Sequence, residues 1–194
     1  MENKDMNKLN WQKFIKFWSQ FYNDSQNLDE KLYYPYISDE GFLKKDDFLK
    51  NLWRWKMQVH YNNKSNQRAL KLMEENKEII RSFRNSRSSF DDLYNFSGKI
   101  FRSGIIYSIF LFHICKPSEY PIFDQHVFRA FTFIAKKEII KDTKDIKNYW
   151  EYRDFVFCIH RKCKISLRDI DKGLMAFGQF LVNPSKILYG DKQK

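Results

Sequence analysis

Glycine, proline and cysteine are scarce in this chain of 194 residues, numbering 6, 4 and 3. Three cysteines, Cys115, Cys158 and Cys163, are an odd number in a chain of this size, which argues against a disulfide framework and for reduced thiols. The stretch Cys158-Ile-His160-Arg-Lys-Cys163 offers at most three metal ligands, with His113 and Cys115 far away in sequence, and fits no standard closed zinc or iron–sulfur spacing, so no metal and no cofactor is expected. Uncharged apolar runs are short. The longest, Gly104 to Ile114, cannot span a bilayer, so no membrane partner is expected. The N-terminus, Met-Glu-Asn-Lys-Asp, lacks the apolar core of a signal peptide, and the expected location is the cytoplasm, at the nucleoid if the cell is prokaryotic. With so few turn residues and almost no alternating pattern, strands are nearly absent from the reading.

What the chain does contain is apolar mass and positive charge. At 43% hydrophobic and 18% aromatic it can bury a core, as one domain or two packed lobes. Its 35 Lys+Arg against 24 Asp+Glu leave a net charge of +11, which favours a polyanion, nucleic acid ahead of an anionic membrane.

Helical periodicity begins with Trp11, Phe14, Ile15, Trp18 and Phe21, one face of one helix. Leu32-Tyr33-Tyr34-Pro35-Tyr36-Ile37 reads as an extended connector because of its proline. Phe48, Leu49, Leu52, Trp53 and Met57 mark a second helix, and Gln67 to about Asn76 a third. Arg81, Arg84 and Arg87 share a helix face, a phosphate-facing stripe or, more commonly, a solvated one. A helix from about Ile100 to Ile114 is apolar nearly all round and therefore central. Glu119-Tyr120-Pro121-Ile122-Phe123 is expected to be extended, with Asp124 as N-cap of a helix from Gln125 to about Lys137. Asp142 or Thr143 opens the next helix, and Ser166 to Asp169 is a capping box for the last. The expected class is all-α.

Asp124 stands between a rigid extended segment and a new helix, where the helix dipole and free amides favour a carboxylate. Such a fixed anion can stabilise a developing cation or orient water, or serve as a plain cap. The string Phe123-Asp124-Gln125-His126-Val127-Phe128-Arg129 resembles the Val-Asp-Thr-His-Ile-Phe-Arg segment of the helix-hairpin-helix DNA glycosylases, the endonuclease III group above all. In that family an Asp follows a glycine-rich hairpin and an apolar helix, and here Phe96-Ser97-Gly98-Lys99-Ile100-Phe101-Arg102-Ser103-Gly104 occupies the hairpin's place. The likeness covers Phe96 to Ala130. Only Gly98 of the hairpin glycines remains, Ile100 replaces the second, and the cysteines that hold an iron–sulfur cluster in many relatives are missing.

The resemblance implies a single helical domain over 1–194, with the compact two-lobed fold of the glycosylase type and no iron–sulfur cluster, which can be divided into a lobe of central helices at 65–135, with its hairpin around 96–104, and a second lobe of 1–64 plus 136–194. It implies a monomer acting on double-stranded DNA, flipping out a damaged, mismatched or modified base and hydrolysing its N-glycosidic bond in base excision repair. Asp124 would be catalytic, stabilising an oxocarbenium ion and orienting water. His126 would support Asp124 or the local packing, and Arg129 would be paired or phosphate-facing. Ser97, Gly98, Lys99 and Arg102 would hold the DNA backbone. Arg102 stands where bifunctional relatives carry the lyase lysine, and a guanidinium is no Schiff-base nucleophile, so the enzyme reads as monofunctional; Lys99 is more simply a phosphate contact. Trp55 and Tyr107 are candidates for the base pocket, Trp55 because it falls off the apolar face between Arg54 and Lys56. Two other readings fit the same sequence: an inactive DNA-binding module of this fold, and an unrelated basic helical protein that binds RNA or an acidic partner.

Overall fold

Period-3.6 patterning dominates, and the computed structural model, which describes residues 9–22, 30–101, 104–140 and 145–184, is correspondingly helical. Among the described residues there are eleven α-helices and no strand. They are α1 (Trp11–Ser19), α2 (Glu30–Ile37), α3 (Asp39–Lys44), α4 (Phe48–Met57), α5 (Lys64–Glu75), α6 (Lys77–Arg84), α7 (Phe90–Phe101), α8 (Ile105–Cys115), α9 (Gln125–Lys136), α10 (Ile146–Cys163) and α11 (Leu167–Phe180). No helix among the described residues is long and apolar enough to cross a membrane.

The chain divides into two compact units, Asp24–Tyr120 and a second built from Met1–Asn23 with Pro121–Lys194. These limits differ from the 65–135 limits of the sequence reading. Residues 30–64 belong with the central helices because α2 packs on α4 and α4 on α5, while α9 leaves them because it packs on α11.

In the central unit, Phe42, Phe48, Leu52, Trp53 and Met73 are closed off from solvent, and α8 lies at the core with nine of its residues buried. The segment around Pro35 is helical, contrary to the extended connector read from it. Tyr33 and Ile37, one turn apart, are both buried on one side of α2, and that burial outweighs the backbone bond that Pro35 cannot donate. Gly41 of α3 then lies so close to α2 that a Cβ there would stand 1.8 Å from the Pro35 carbonyl oxygen. The arginine string is not a stripe for phosphate. Arg84 is 8% exposed in its side chain and turns inward, donating to Asp39 Oδ1 at 2.7 and 3.0 Å and to the carbonyls of Ile37 and Ile114 at 2.9 Å each. It satisfies the open carbonyl ends of α2 and α8.

The expected single helix from Ile100 to Ile114 is two helices. α7 continues to Phe101 and α8 begins after Gly104, so Ser97, Gly98 and Lys99 lie inside α7 and not in a turn. Gly98 is exposed on a helix side, and a Cβ there would have nothing within 4 Å, so its glycine serves no turn. Gly104, just ahead of α8, is the more crowded of the two glycines: a Cβ there would meet Tyr107 Cδ2 at 3.0 Å and the Phe101 carbonyl oxygen at 3.1 Å.

In the other unit, α11 packs on α1 and on α9. Trp11 and Ile15 of α1 are buried, and Ile170, Leu174 and Ala176 of α11 are fully closed off. Ser166 caps α11 as its sequence indicates: Oγ accepts from the Asp169 amide at 3.0 Å and donates to Asp169 Oδ2 at 2.6 Å. α10 starts after Asp145, whose carboxylate accepts from the Lys147 amide; Asp142 and Thr143 lie outside the described residues.

Candidate active site

The connector that delivers Asp124 has no regular hydrogen-bonding pattern of its own, so its carbonyls need other partners. Glu119 and Tyr120 close a turn on the Lys116 carbonyl, and the chain runs free of regular structure from Pro121 to Asp124. Three successive carbonyls are then taken by buried side chains. The Tyr120 carbonyl accepts from His113 Nδ1 at 2.7 Å within the central unit. In the other unit, the Pro121 carbonyl accepts from the Tyr149 hydroxyl at 3.5 Å, and the Ile122 carbonyl from the Tyr152 hydroxyl at 2.9 Å. His113 is held in turn by Tyr33, whose hydroxyl is 2.7 Å from Nε2. Because Nδ1 faces a carbonyl it carries the proton, and Nε2 accepts from Tyr33.

Asp124 itself is half-buried and has extended backbone angles, φ −148° and ψ 179°. Its Oδ1 accepts from the amides of His126 at 2.6 Å and Val127 at 3.0 Å, which makes it the N-cap of α9. Its Oδ2 accepts no hydrogen bond among the described residues. One oxygen therefore fixes the group and the other stays available to water or a ligand. Tyr152 lies close enough to feel the charge. Burial first, then the carboxylates of Asp171 and Asp124, raise its phenol well above the ordinary value. Asp171, buried on α11, is paired with Arg168, which also donates to the Tyr22 hydroxyl at 3.0 Å.

The start of α9 is also held from outside. Gly178 of α11 comes so near that a Cβ there would stand 1.9 Å from the His126 carbonyl oxygen. Only a residue without a side chain permits that approach.

Arg129 is not phosphate-facing. It is 7% exposed and folds back along α9, with Nη1 3.0 Å from His126 Nδ1 and Nη2 3.2 Å from Gln125 Oε1. Helical side chains lean toward the N-terminus, which brings position 129 over positions 125 and 126. His126 is thus engaged in the packing of its own turn.

The remaining sequence candidates belong to the central unit. Ser97 is buried and its hydroxyl donates to the Tyr94 carbonyl at 2.7 Å, while Lys99 is exposed near the end of α7. Arg102 lies outside the described residues. Trp55 is not exposed: at 6% it packs on Tyr33, with ring centres 4.6 Å apart, and on Phe110 at 6.2 Å. Flanking charges do not keep it in water because α4 is apolar over more than half its circumference, Phe48, Leu49, Leu52, Trp53 and Met57 being buried with it. Tyr107 is 37% exposed at the first turn of α8, against Trp53 and Phe101.

An apolar hollow of about 390 Å³ opens elsewhere in the Asp124 unit, lined by Trp11, Phe14, Phe133, Phe177 and Lys137 among others. It sits at the last turn of α9, about 18 Å along the helix from the cap, and is no part of the site. Among the described residues no group of three or more His, Cys, Asp or Glu side chains could hold a metal ion. Sequence reasoning reaches Asp124, His126 and Arg129 but misses Tyr149, Tyr152, His113 and Gly178. Buried tyrosines look like any core aromatic in sequence, and a glycine inside an apolar helix is the one signal that could have pointed to a close approach. Comparison with protein-family models, with curated proteins and with solved structures finds no match for this chain.

Proposed function

We propose that this protein is a monofunctional DNA glycosylase of the helix-hairpin-helix kind, acting on a base flipped out of double-stranded DNA. The observation that carries the reading is the division of labour in Asp124: Oδ1 is tied to two amides while Oδ2 stays unbonded, on a connector pinned by Tyr149 and Tyr152. A plain cap needs no such connector. Two further features support the reading. The chain forms a central unit inserted between its two ends, and α7 and α8 form a pair closely joined through Gly104 ahead of Asp124.

In this reaction the C1′–N bond breaks with its electron pair leaving on the base, and the sugar becomes cationic. The Asp124 carboxylate stabilises that charge, and water adds to C1′ as it loses a proton to the carboxylate. Arg102, permanently protonated, replaces the amine that strand cleavage requires, so the product is an intact abasic strand. With Ser97 and Gly98 inside α7, phosphate contact falls to Lys99 and to the amides that open α8 after Gly104.

The test uses purified wild type and Asp124→Asn on duplexes carrying uracil, oxidised, alkylated, mismatched and hydroxymethylated or glucosylated bases, with alkali to reveal abasic sites. Wild type is expected to give breaks only after alkali, and Asp124→Asn to lose base release while still binding DNA. DNA binding with no base release by wild type across the panel would replace the reading with a noncatalytic DNA-binding module.

A further inference from the structure

A glutamine amide carries an acceptor on one branch and two donors on the other, so whatever fixes one branch decides what the other can bind. Gln125 is the exposed first residue of α9 and follows Asp124 directly. Its Oε1 lies 3.2 Å from Arg129 Nη2. A guanidinium has donors and no acceptor, so the branch of Gln125 that faces it must be the oxygen. The Nε2 branch is left for another acceptor, and it donates to no group among the described residues.

Arg129 makes this orientation firm, and its own surroundings show what the chain gives up for it. The residue is 7% exposed, its Nε is buried with no acceptor, and no carboxylate pairs with it among the described residues. A cation taken out of water ordinarily meets a carboxylate, because burial without one is costly. Position 125 is where that carboxylate would belong: it is four residues before 129 on the same helix face, and in the first turn, where negative charge suits the helix dipole. A glutamate there would satisfy Arg129 better, but an ionised carboxylate has only acceptors. Glutamine forgoes the ion pair and keeps two donors beside Asp124.

We propose that Gln125 is a substrate-binding residue, held with its donors outward by the positioning residue Arg129, and that its side-chain N–H groups bind an acceptor oxygen of the flipped nucleotide. The orientation of the amide follows from Arg129 alone; the nucleotide as its acceptor rests on the glycosylase reading. The oxygen belongs to a carbonyl of the base or to the neighbouring phosphate. A neutral donor suits either, since it holds a negative oxygen without cancelling the Asp124 carboxylate that must face the developing cation.

The experiment compares wild type with Gln125→Glu and Gln125→Met. Gln125→Glu is expected to raise the urea midpoint by giving Arg129 its ion pair, and to raise it no longer once Arg129→Met is added. A midpoint that stays put, or rises equally in both backgrounds, overturns the orientation by Arg129. On a duplex that wild type processes, both single variants are expected to lower kcat/KM about tenfold, so that Gln125→Glu gains stability and loses rate, which a residue that merely packs would not do. Duplexes with a base carbonyl exchanged for a thiocarbonyl, or the neighbouring phosphate for a methylphosphonate, tell the two oxygens apart: wild type and Gln125→Met are expected to come within about twofold of each other on the analogue that removes the acceptor. A difference that persists on both analogues, or a Gln125→Met protein with the wild-type kcat/KM, overturns the proposal. If wild type processes no duplex, the glycosylase reading fails and the nucleotide falls with it, while the urea arm still decides whether Arg129 holds the amide.

Discussion

Asp124 holds α9 with one carboxylate oxygen and keeps the other out of the cap, so its two roles separate under substitution. Asparagine caps a helix about as well as aspartate, whereas alanine accepts nothing from the His126 and Val127 amides. Asp124→Asn should therefore cost less than about 1 kcal/mol in urea unfolding, and Asp124→Ala about 0.5–2 kcal/mol. Base release should vanish in both. Equal losses of stability in the two variants would mean that the cap bonds contribute nothing. The site at this scale is partly legible in the sequence: Asp124, His126 and Arg129 stand within six residues, and an N-cap is a local matter of backbone amides and the nearest side chain. The direction of Arg129 is not legible there, because it depends on helix geometry and burial together. A basic residue beside a candidate DNA site reads as solvent-facing until the fold shows it turned back onto His126.

Among the elements, α9 and α11 define the site most directly, and their contact turns on Gly178. A methyl group there would stand 1.9 Å from the His126 carbonyl oxygen, a backbone atom that cannot swing aside as a side-chain tip would. Gly178→Ala must push the first turn of α9 away from α11, and overpacking of this kind costs about 1–3 kcal/mol. Base release should fall further than stability does, because the displaced atoms belong to the turn that Asp124 caps. Urea unfolding and single-turnover base release on one preparation would compare the two. A Gly178→Ala protein with wild-type stability and rate would remove the close approach from the account. Helices are legible where the pattern is periodic, as in α4 and α9, and obscured where a breaker residue competes with burial. Pro35 does not end α2, and Gly98 does not end α7, which continues to Phe101 before α8 begins at Ile105.

For the molecule as a whole, charge and burial make two predictions. A net charge of +11 should give DNA binding that weakens steeply with salt. Lys99→Ala should reduce the slope of log K against log salt by about one, with little effect on the wild-type fold, since the side chain is exposed. An unchanged slope would take α7 out of the DNA contact. The second prediction concerns high pH. Burial pushes the Cys115 thiol far above its ordinary 9.0, and the Tyr152 phenol well above 10.0, so both stay protonated in the folded chain. Their unfolded counterparts ionise first, so the unfolded state binds fewer protons and stability falls as pH rises past about 9 and again past about 10. Urea midpoints measured from pH 8 to 11 should decline, and Tyr152→Phe, less stable at pH 8 for want of the Ile122 contact, should decline less steeply. A flat midpoint across that range would mean the two groups are not buried as described.

Sequence alone settled what depends on near neighbours: the helical character of the described residues, the caps at Asp124 and Ser166, and the burial of the apolar stretch up to Ile114 that forms most of α8. Periodicity and capping act over three or four residues, and a one-dimensional string carries them in full. Only the tertiary structure decided that 24–120 forms one unit, that Trp55 is core, that Arg84 turns inward, and that Tyr149 and Tyr152 hold the carbonyls before Asp124. Each of these joins residues far apart in the chain, where which side chain fills a gap, or which carbonyl finds a donor, depends on how whole helices pack.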